Sequence, residues 1–341
     1  MTYQRIAVGG LKVLEGGACV AVSSSSGEDH LLADICTPLA QKRININLLT
    51  HMTGGDGLNS ASVICTDIKA GATNYSLAKA SYSSNQDVVR LHPGTCIVSL
   101  YAYSRRPEIV GNFLRALARA KIMIYAVASS RSSISAVMSL EAKDKAIWQL
   151  FEEFRFSSFT SPAEFFATQP PPEELVKKAV AVYQESIIKI YYLEDLADQD
   201  LWSLSVPSVM ALENFGEALL AMRDIRCPVP FFLAVSLLGK RELLFSFSTS
   251  SDHGDEVRPL LNSLLPGITP RRQAQAAAIF LHGPHFGDRY GIARTFLEAL
   301  DRAKVSLLAL SCSVSSISAI VKKKELESAL EILGRTFEVP S

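Results

Sequence analysis

RAKIMIYAVASSRSSISAVM, residues 119–138, returns as RAKVSLLALSCSVSSISAIV at residues 302–321. The second copy lies 183 positions after the first with no gap, and ten of the twenty positions are identical. The likeness extends outward on the same spacing. Phe113, Leu114, Ala116 and Leu117 find their counterparts in Phe296, Leu297, Ala299 and Leu300, and Phe154 in Phe337. A gapless repeat of this length means one structural unit built twice, so it is read before any local motif.

Composition narrows the class. A chain of 341 residues is long enough for about two domains of ordinary size, or more small ones. Apolar residues make up 48%, and 34 basic side chains balance 34 acidic ones. A nucleic-acid binder carries a basic excess, which is missing here. The six cysteines (Cys19, Cys36, Cys65, Cys96, Cys227, Cys312) form no CxxC pair, a pattern of buried thiols in a reducing compartment. The N-terminus shows no apolar signal region, and no run approaches the roughly 18 apolar residues of a membrane span. The expected location is the cytoplasm, without membrane attachment.

Read in order, the chain starts with Arg5 to Leu14, a Gly16-Gly17 turn and an apolar strand, Ala18 to Val22. His30 to Gln41 has helical spacing in Leu31, Leu32, Ile35 and Leu39. Ile44 to Met52 and Leu58 to Cys65 read as a hairpin about Thr53-Gly54-Gly55-Asp56-Gly57. Tyr75 to Asn85 reads as a helix and Asp87 to Arg90 as a short strand, completing β-α-β-β-α-β. A second such unit follows: strand Cys96 to Tyr101, helix Glu108 to Ala120, strands Ile122 to Ala128 and Ile134 to Leu140, helix Glu141 to Phe154. Along its last strand Ile134, Ala136 and Met138 fall on one face and Ser133, Ser135 and Val137 on the other. Ser157 to Glu174, with Pro170-Pro171-Pro172, reads as a linker. Beyond it the pattern recurs in strand Leu201 to Val206, helix Val209 to Arg223, and a hairpin of Val229 to Leu238 and Glu242 to Ser248 about Gly239-Lys240. Ala277 to His282, helix Ile292 to Ala303 and helix Lys323 to Leu333 frame the repeated strands at the end. The expected class is α+β, with four ferredoxin-like βαββαβ units in two tandem pairs. Their boundaries are 1–92, 93–156, 177–270 and 271–341, with a linker at 157–176.

Several of these segments resemble the ACT domain, and each half resembles the paired ACT domains of aspartokinase regulatory regions. That family's loop ending in Pro-Gly-Val-Ala corresponds to Pro107-Glu108-Ile109-Val110 and to Tyr290-Gly291-Ile292-Ala293. Its Gly-Ile-Asn-Ile corresponds to Arg43-Ile44-Asn45-Ile46, Lys121-Ile122-Met123-Ile124 and Lys304-Val305-Ser306-Leu307. Its Ser-Glu followed by Ile-Ser-Val-Val corresponds to Ser130-Arg131 with Ile134-Ser135-Ala136-Val137, and to Ser313-Val314 with Ile317-Ser318-Ala319-Ile320. The third unit keeps almost nothing of the loop. Nothing resembles the kinase's Lys-Phe-Gly-Gly opening, since Gly9-Gly10 lacks the lysine, so the resemblance implies a duplicated regulatory region without a kinase domain.

The resemblance implies an amino acid bound between units, of the aspartate family (lysine, threonine or methionine). Helix N-termini suit its carboxylate and side-chain oxygens suit its ammonium. The residues implied are Asp29, His30, Leu31, Asn45, Arg105, Pro107, Glu108, Ile109, Ser129, Ser130, Asp288, Tyr290, Gly291, Ile292, Ser311 and Ser313. The family's asparagine is replaced by Met123 and Ser306, and its glutamate by Arg131 and Val314. Losing a hydrogen bond to a charged group costs roughly 1.5–3 kcal/mol, a tenfold to hundredfold loss of affinity.

Other candidates carry less. His282-Gly283-Pro284-His285 with Asp288 lacks a third metal ligand at known spacing. Lys322-Lys323-Lys324 and Arg271-Arg272 read as solvated or helix-capping residues, and Ser23 to Ser26 lacks the lysine of a P-loop. No catalytic constellation stands out. The expectation is therefore a protein that is not an enzyme and uses no cofactor or metal: an allosteric amino-acid sensor forming a pseudo-dimer within one chain, or also a homodimer. The alternative is a degenerate ACT scaffold associating with an enzyme of amino-acid metabolism without ligand, such as a stand-alone regulatory partner of an aspartokinase.

Overall fold

The small-and-large alternation of Ile134-Ser135-Ala136-Val137-Met138 shows that both faces of this strand are covered. Ile134, Ala136 and Met138 pack beneath helices, whereas Val137 faces another sheet. The computed structural model describes residues 5–24, 30–53, 60–101, 103–168, 188–238, 242–283, 289–313 and 315–338, with side chains at 30–31 and 208–211 set aside.

The first half comprises β1 (Ile6–Val8), β2 (Gly10–Ser24), α1 (His30–Gln41), β3 (Leu48–Thr53), β4 (Ser60–Asp67), α2 (Gly71–Ser81) and β5 (Val88–Tyr101). It continues with α3 (Pro107–Arg119), β6 (Ile124–Ser129), β7 (Ser133–Ser139), α4 (Lys143–Glu153), β8 (Phe154–Phe156) and a short α5 (Pro162–Ala167). The second half comprises β9 (Ile188–Lys189), β10 (Tyr192–Pro207), α6 (Ser208–Asp224), β11 (Phe231–Leu237), β12 (Glu242–Ser250) and α7 (Gly254–Leu264). It ends with β13 (Arg271–His282), α8 (Ile292–Arg302), β14 (Leu307–Cys312), β15 (Ser316–Lys322), α9 (Leu326–Thr336) and β16 (Phe337–Glu338).

Two long strands organise each half. β2 and β5 run antiparallel along nearly their whole length. The later part of β2 also pairs with β4, and the later part of β5 with β7. β10 and β13 do the same, β10 pairing with β12 and β13 with β15. The halves then join at two edges, β6 with β11 and β3 with β14. Among the described residues the strands close into one antiparallel ring, β10-β12-β11-β6-β7-β5-β2-β4-β3-β14-β15-β13. Two small parallel pairs, β1 with β8 and β9 with β16, repeat the same relation in each half.

This corrects the reading of Gly16-Gly17 as a turn. Gly16 has φ 74° and lies in an irregularity of the β2–β5 ladder, so the glycines bend one continuous strand rather than reverse it. Asp198 (φ 55°) and Gln275 (φ 57°) hold the corresponding bend between β10 and β13. Likewise, the two segments expected at Asp87 to Arg90 and Cys96 to Tyr101 merge into a single strand, Val88–Tyr101, with Gly94 (φ 64°) between them. Residues 54–57 and 239–240, where hairpin turns are expected, lie outside the described residues. α7 was not apparent because Gly254 opens it and Pro259 lies inside it, both poor helix formers. Buried Val257 and Leu261 anchor it instead. The expected linker also begins as structure: Phe165 of α5 is buried near Phe151 and Phe159.

Three cores follow from the ring. One lies under α3, α4, α6 and α7, and a second under α1, α2, α8 and α9. The third fills the ring between facing sheets and is rich in small residues, among them Cys19, Ala21, Ala126, Ala128, Ala276, Ala278 and Ala309. The alternation in the repeated stretch accordingly turns Ile134, Ala136 and Met138 toward the helices and Val137 toward the ring interior.

Candidate functional site

Helices pack beside each joined edge, giving two seams between the halves: α3 against α6, and α1 against α8. The sequence places related segments at both, yet the seams differ.

At the α3–α6 seam the helices touch backbone to backbone. A Cβ on Gly111 would lie 2.6 Å from the Gly216 carbonyl oxygen, and one on Gly216 2.7 Å from that of Gly111. Tyr103, fully buried, donates its phenol hydrogen to the Val229 carbonyl, and the Val229 N–H donates to the Arg105 carbonyl at 3.1 Å. Arg115 pairs with Glu217 at 3.1 Å and Arg119 with Glu213 at 3.2 Å. This seam is filled by the chain's own groups.

The α1–α8 seam holds a partly open recess with about 300 Å³ of free space, its solvent-open mouth included. Its enclosed part has room for about one water. The lining comes from the end of α1 (Cys36, Ala40), the following segment Ile44-Asn45-Ile46, the start of α8 with Arg289 and Gly291 to Arg294, and Cys312 of β14. Chemistry at its floor follows from local folding. Gly291 (φ 88°) enters α8 with no side-chain hydrogen bond capping the helix. It also lets the helix approach α1, since a Cβ there would meet Ala40 Cβ at 3.6 Å. Arg43 (φ 57°) turns the chain out of α1 and delivers Asn45 to the recess. Arg294 Nε donates to Glu298 Oε1 at 2.6 Å, one turn along α8. Burial, then the neighbouring Cys312, pushes the Cys36 thiol far above its ordinary range, and burial pushes Cys312 up to about 12. Both are neutral thiols at physiological pH.

Of the residues implied by resemblance, Asn45, Gly291 and Ile292 meet in this recess. Tyr290 lies beside it, half-buried. Arg105, Pro107, Glu108 and Ile109 lie at the closed seam, where Arg106 binds Glu108 at 2.7 Å, Ile109 is buried, and Arg105 reaches Glu194 of β10 at 2.7 Å. Ser129 Oγ accepts from the Phe232 N–H at 2.8 Å, joining the β6–β11 edge. Ser130 closes the β6–β7 turn with Ser133, and Ser313 the β14–β15 turn with Ser316. Ser311 is buried opposite Thr50 on the β14–β3 edge. Asp29 and Asp288 lie outside the described residues, as do the side chains of His30 and Leu31. Sequence reasoning missed Cys36, Cys312 and Arg294; the four-residue spacing of Cys36 and Ala40 on one helix face was the available signal. Met123 is 70% exposed and fills no pocket. Among the described residues no group of three or more His, Cys, Asp or Glu could hold a metal ion, and no helix is long and apolar enough to cross a membrane.

Residues 272–335, from β13 to α9, match the family model of the ACT domain. A search of curated proteins finds no match. The fold is similar to that of aspartate kinase from Synechocystis, with a TM-score of 0.80 and 16% identity over 97% of this chain and 56% of that one. The ligand-free regulatory subunit of aspartate kinase from Thermus thermophilus aligns at 16% identity over 44% of this chain and 99% of that one, with a TM-score of 0.38. This is a mixed α/β fold in which residues 272–335 match the ACT domain. The chain spans just over half the length of the Synechocystis enzyme. That likeness overturns the expectation of a protein that is not an enzyme, because the fold shared along 97% of the chain is found in a kinase.

Proposed function

We propose that the chain is an amino-acid-responsive regulatory region of an aspartokinase-type enzyme, built from four ACT units at 1–92, 93–156, 177–270 and 271–341 and working in the cytoplasm. The observation that carries this reading is the recess of the α1–α8 seam, which Asn45 from one half and the glycine-headed start of α8 from the other line together. The first-turn N–H groups of α8 suit a carboxylate, and the Asn45 carbonyl suits an ammonium. An amino acid of the aspartate family (lysine, threonine or methionine) would bridge the two halves there. Since little of the recess is enclosed, the ligand enters by widening the seam, and binding thereby moves α1 relative to α8. That movement is the regulatory signal to a catalytic site in the same or a partner chain.

Titration calorimetry of the chain with each of the twenty amino acids tests this. One of them is expected to bind and, at a hundredfold excess over Kd, to stabilise the fold by about 2.7 kcal/mol. Asn45→Ala is expected to weaken it tenfold to a hundredfold. No heat and no thermal shift with any amino acid would remove the proposal. The closed α3–α6 seam supports a second role beside it, a ligand-free joint of the scaffold kind.

A further inference from the structure

The repeat shows which residues make the two seams differ. Its spacing of 183 carries through the helices, since left-handed Arg43 and Arg226 lie 183 apart, as do Lys121 and Lys304. On that spacing Gly111 of α3 corresponds to Arg294 of α8, and Gly216 of α6 to Ala33 of α1. At the closed seam both positions must be glycine. A Cβ on Gly111 would lie 2.6 Å from the Gly216 carbonyl oxygen, and one on Gly216 2.6 Å from Arg115 Cγ. Helices that carry side chains there cannot come as near to each other. Arg294 brings a stem of three methylenes to this position and lines the recess, its Nε donating to Glu298 Oε1 at 2.6 Å. The other differences act in the same direction. Leu219, fully buried at the closed seam, corresponds to the smaller Cys36 on the recess wall. Arg115 and Glu217, which pair across the closed seam, correspond to Glu298 and Asp34, two acidic residues that form no ion pair with each other.

Resting on the reading above that an amino acid binds in the recess, we infer that Arg294 and Ala33 decide which seam takes it. They space α8 from α1 and keep open a recess that the glycine pair closes at α3–α6. Arg294 is a positioning residue, acting through the bulk of its stem rather than its charge.

Cys36 and Cys312 stand on the recess walls, so their alkylation reads how readily the seam admits a small molecule. Iodoacetamide is the probe, at fixed pH on the full chain, with peptide mass spectrometry and with Cys96, outside the seam, as reference. Ala33→Gly combined with Arg294→Gly is expected to slow both recess thiols at least tenfold relative to Cys96, and to weaken amino-acid binding at least tenfold. Arg294→Gln keeps the stem without the charge and should react at the native rate. Unchanged thiol rates in the double-glycine variant, or slowing as large in Arg294→Gln, would overturn the inference. Slowed thiols with amino-acid binding at full strength would overturn the choice of seam and remove the recess as the amino acid's site. Silence from every amino acid on the unaltered chain would remove the binding reading, while the thiol rates still decide the spacing. If the double-glycine variant fails to fold, Arg294→Ala decides alone: slowing by a smaller factor supports the spacer, and an unchanged rate overturns it.

Discussion

Arg43, Lys121, Arg226 and Lys304 each hold a left-handed backbone (φ 57°, 51°, 55° and 55°) just after α1, α3, α6 and α8. In each case the next residue's N–H returns to a carbonyl five residues back: Ile44 to Leu39, Ile122 to Leu117, Cys227 to Met222, Val305 to Leu300. This is the Schellman ending, which favours glycine because a Cβ in that conformation costs about 1–2 kcal/mol. The same ending recurs after all four of these helices, including α6, where sequence likeness is weakest. Replacing exposed Lys121 with glycine should raise stability by about 1 kcal/mol in urea unfolding, and valine should lower it by more. The resemblance to Gly-Ile-Asn-Ile aligned Arg43, Lys121 and Lys304 but not Arg226, and it drew attention to Asn45, which lines the recess. Cys36 and Cys312 could not be read in advance, because a thiol on an apolar stripe looks like core until the opposing helix is in place. The hydroxyls of Ser130 and Ser313 close hairpin turns, a use that a serine-rich stretch does not distinguish from ligand binding.

Among the elements, the α3–α6 crossing sets the closed seam and α1–α8 the open one. At the former, glycine is required on both sides, since added methyl groups would meet backbone oxygens at 2.6 and 2.7 Å. Gly111→Leu should therefore destabilise the chain by about 1–3 kcal/mol through overpacking, read as an earlier midpoint in chemical unfolding, while amino-acid binding at the α1–α8 seam is retained. Helices and inner strands were legible from their periodicity, as Ile109, Phe113, Leu114 and Leu117 of α3 show. The long strands were not. A glycine pair within apolar sequence signals a turn and a bulge equally well, and only the partner strand decides. Once β2 and β5 pair end to end, the bend at Gly16 and the one at Gly94 become a means of carrying each strand between two sheets.

At the scale of the molecule, the ring makes the halves interdependent, and polar contacts add to the two edge pairings. Arg105 and Arg131 of the first half both reach Glu194 of the second, at 2.7 and 2.8 Å, and Arg131 lies 4.7 Å above the Tyr192 ring. His282 stacks on that same ring at 5.4 Å. Burial holds His282 below its ordinary 6.5, outweighing a backbone hydrogen bond with Ser315 that acts the other way, and the charge of Arg131 adds a smaller lowering. The unfolded chain therefore takes up this proton first as pH falls, and folded-state stability drops below about pH 6.5. His282→Gln should flatten that decline in thermal melts across pH 5 to 8, and an unchanged slope would place the titration elsewhere. The regulatory reading depends on where a ligand enters this ring. Amide hydrogen exchange of the full chain, with and without the tightest-binding amino acid, measures it most directly. Slowed exchange is expected at residues 44–46 and 292–295, on the two walls of the α1–α8 recess. Slowing confined to residues 105–110 and 227–229 of the closed seam, or found nowhere, would contradict it.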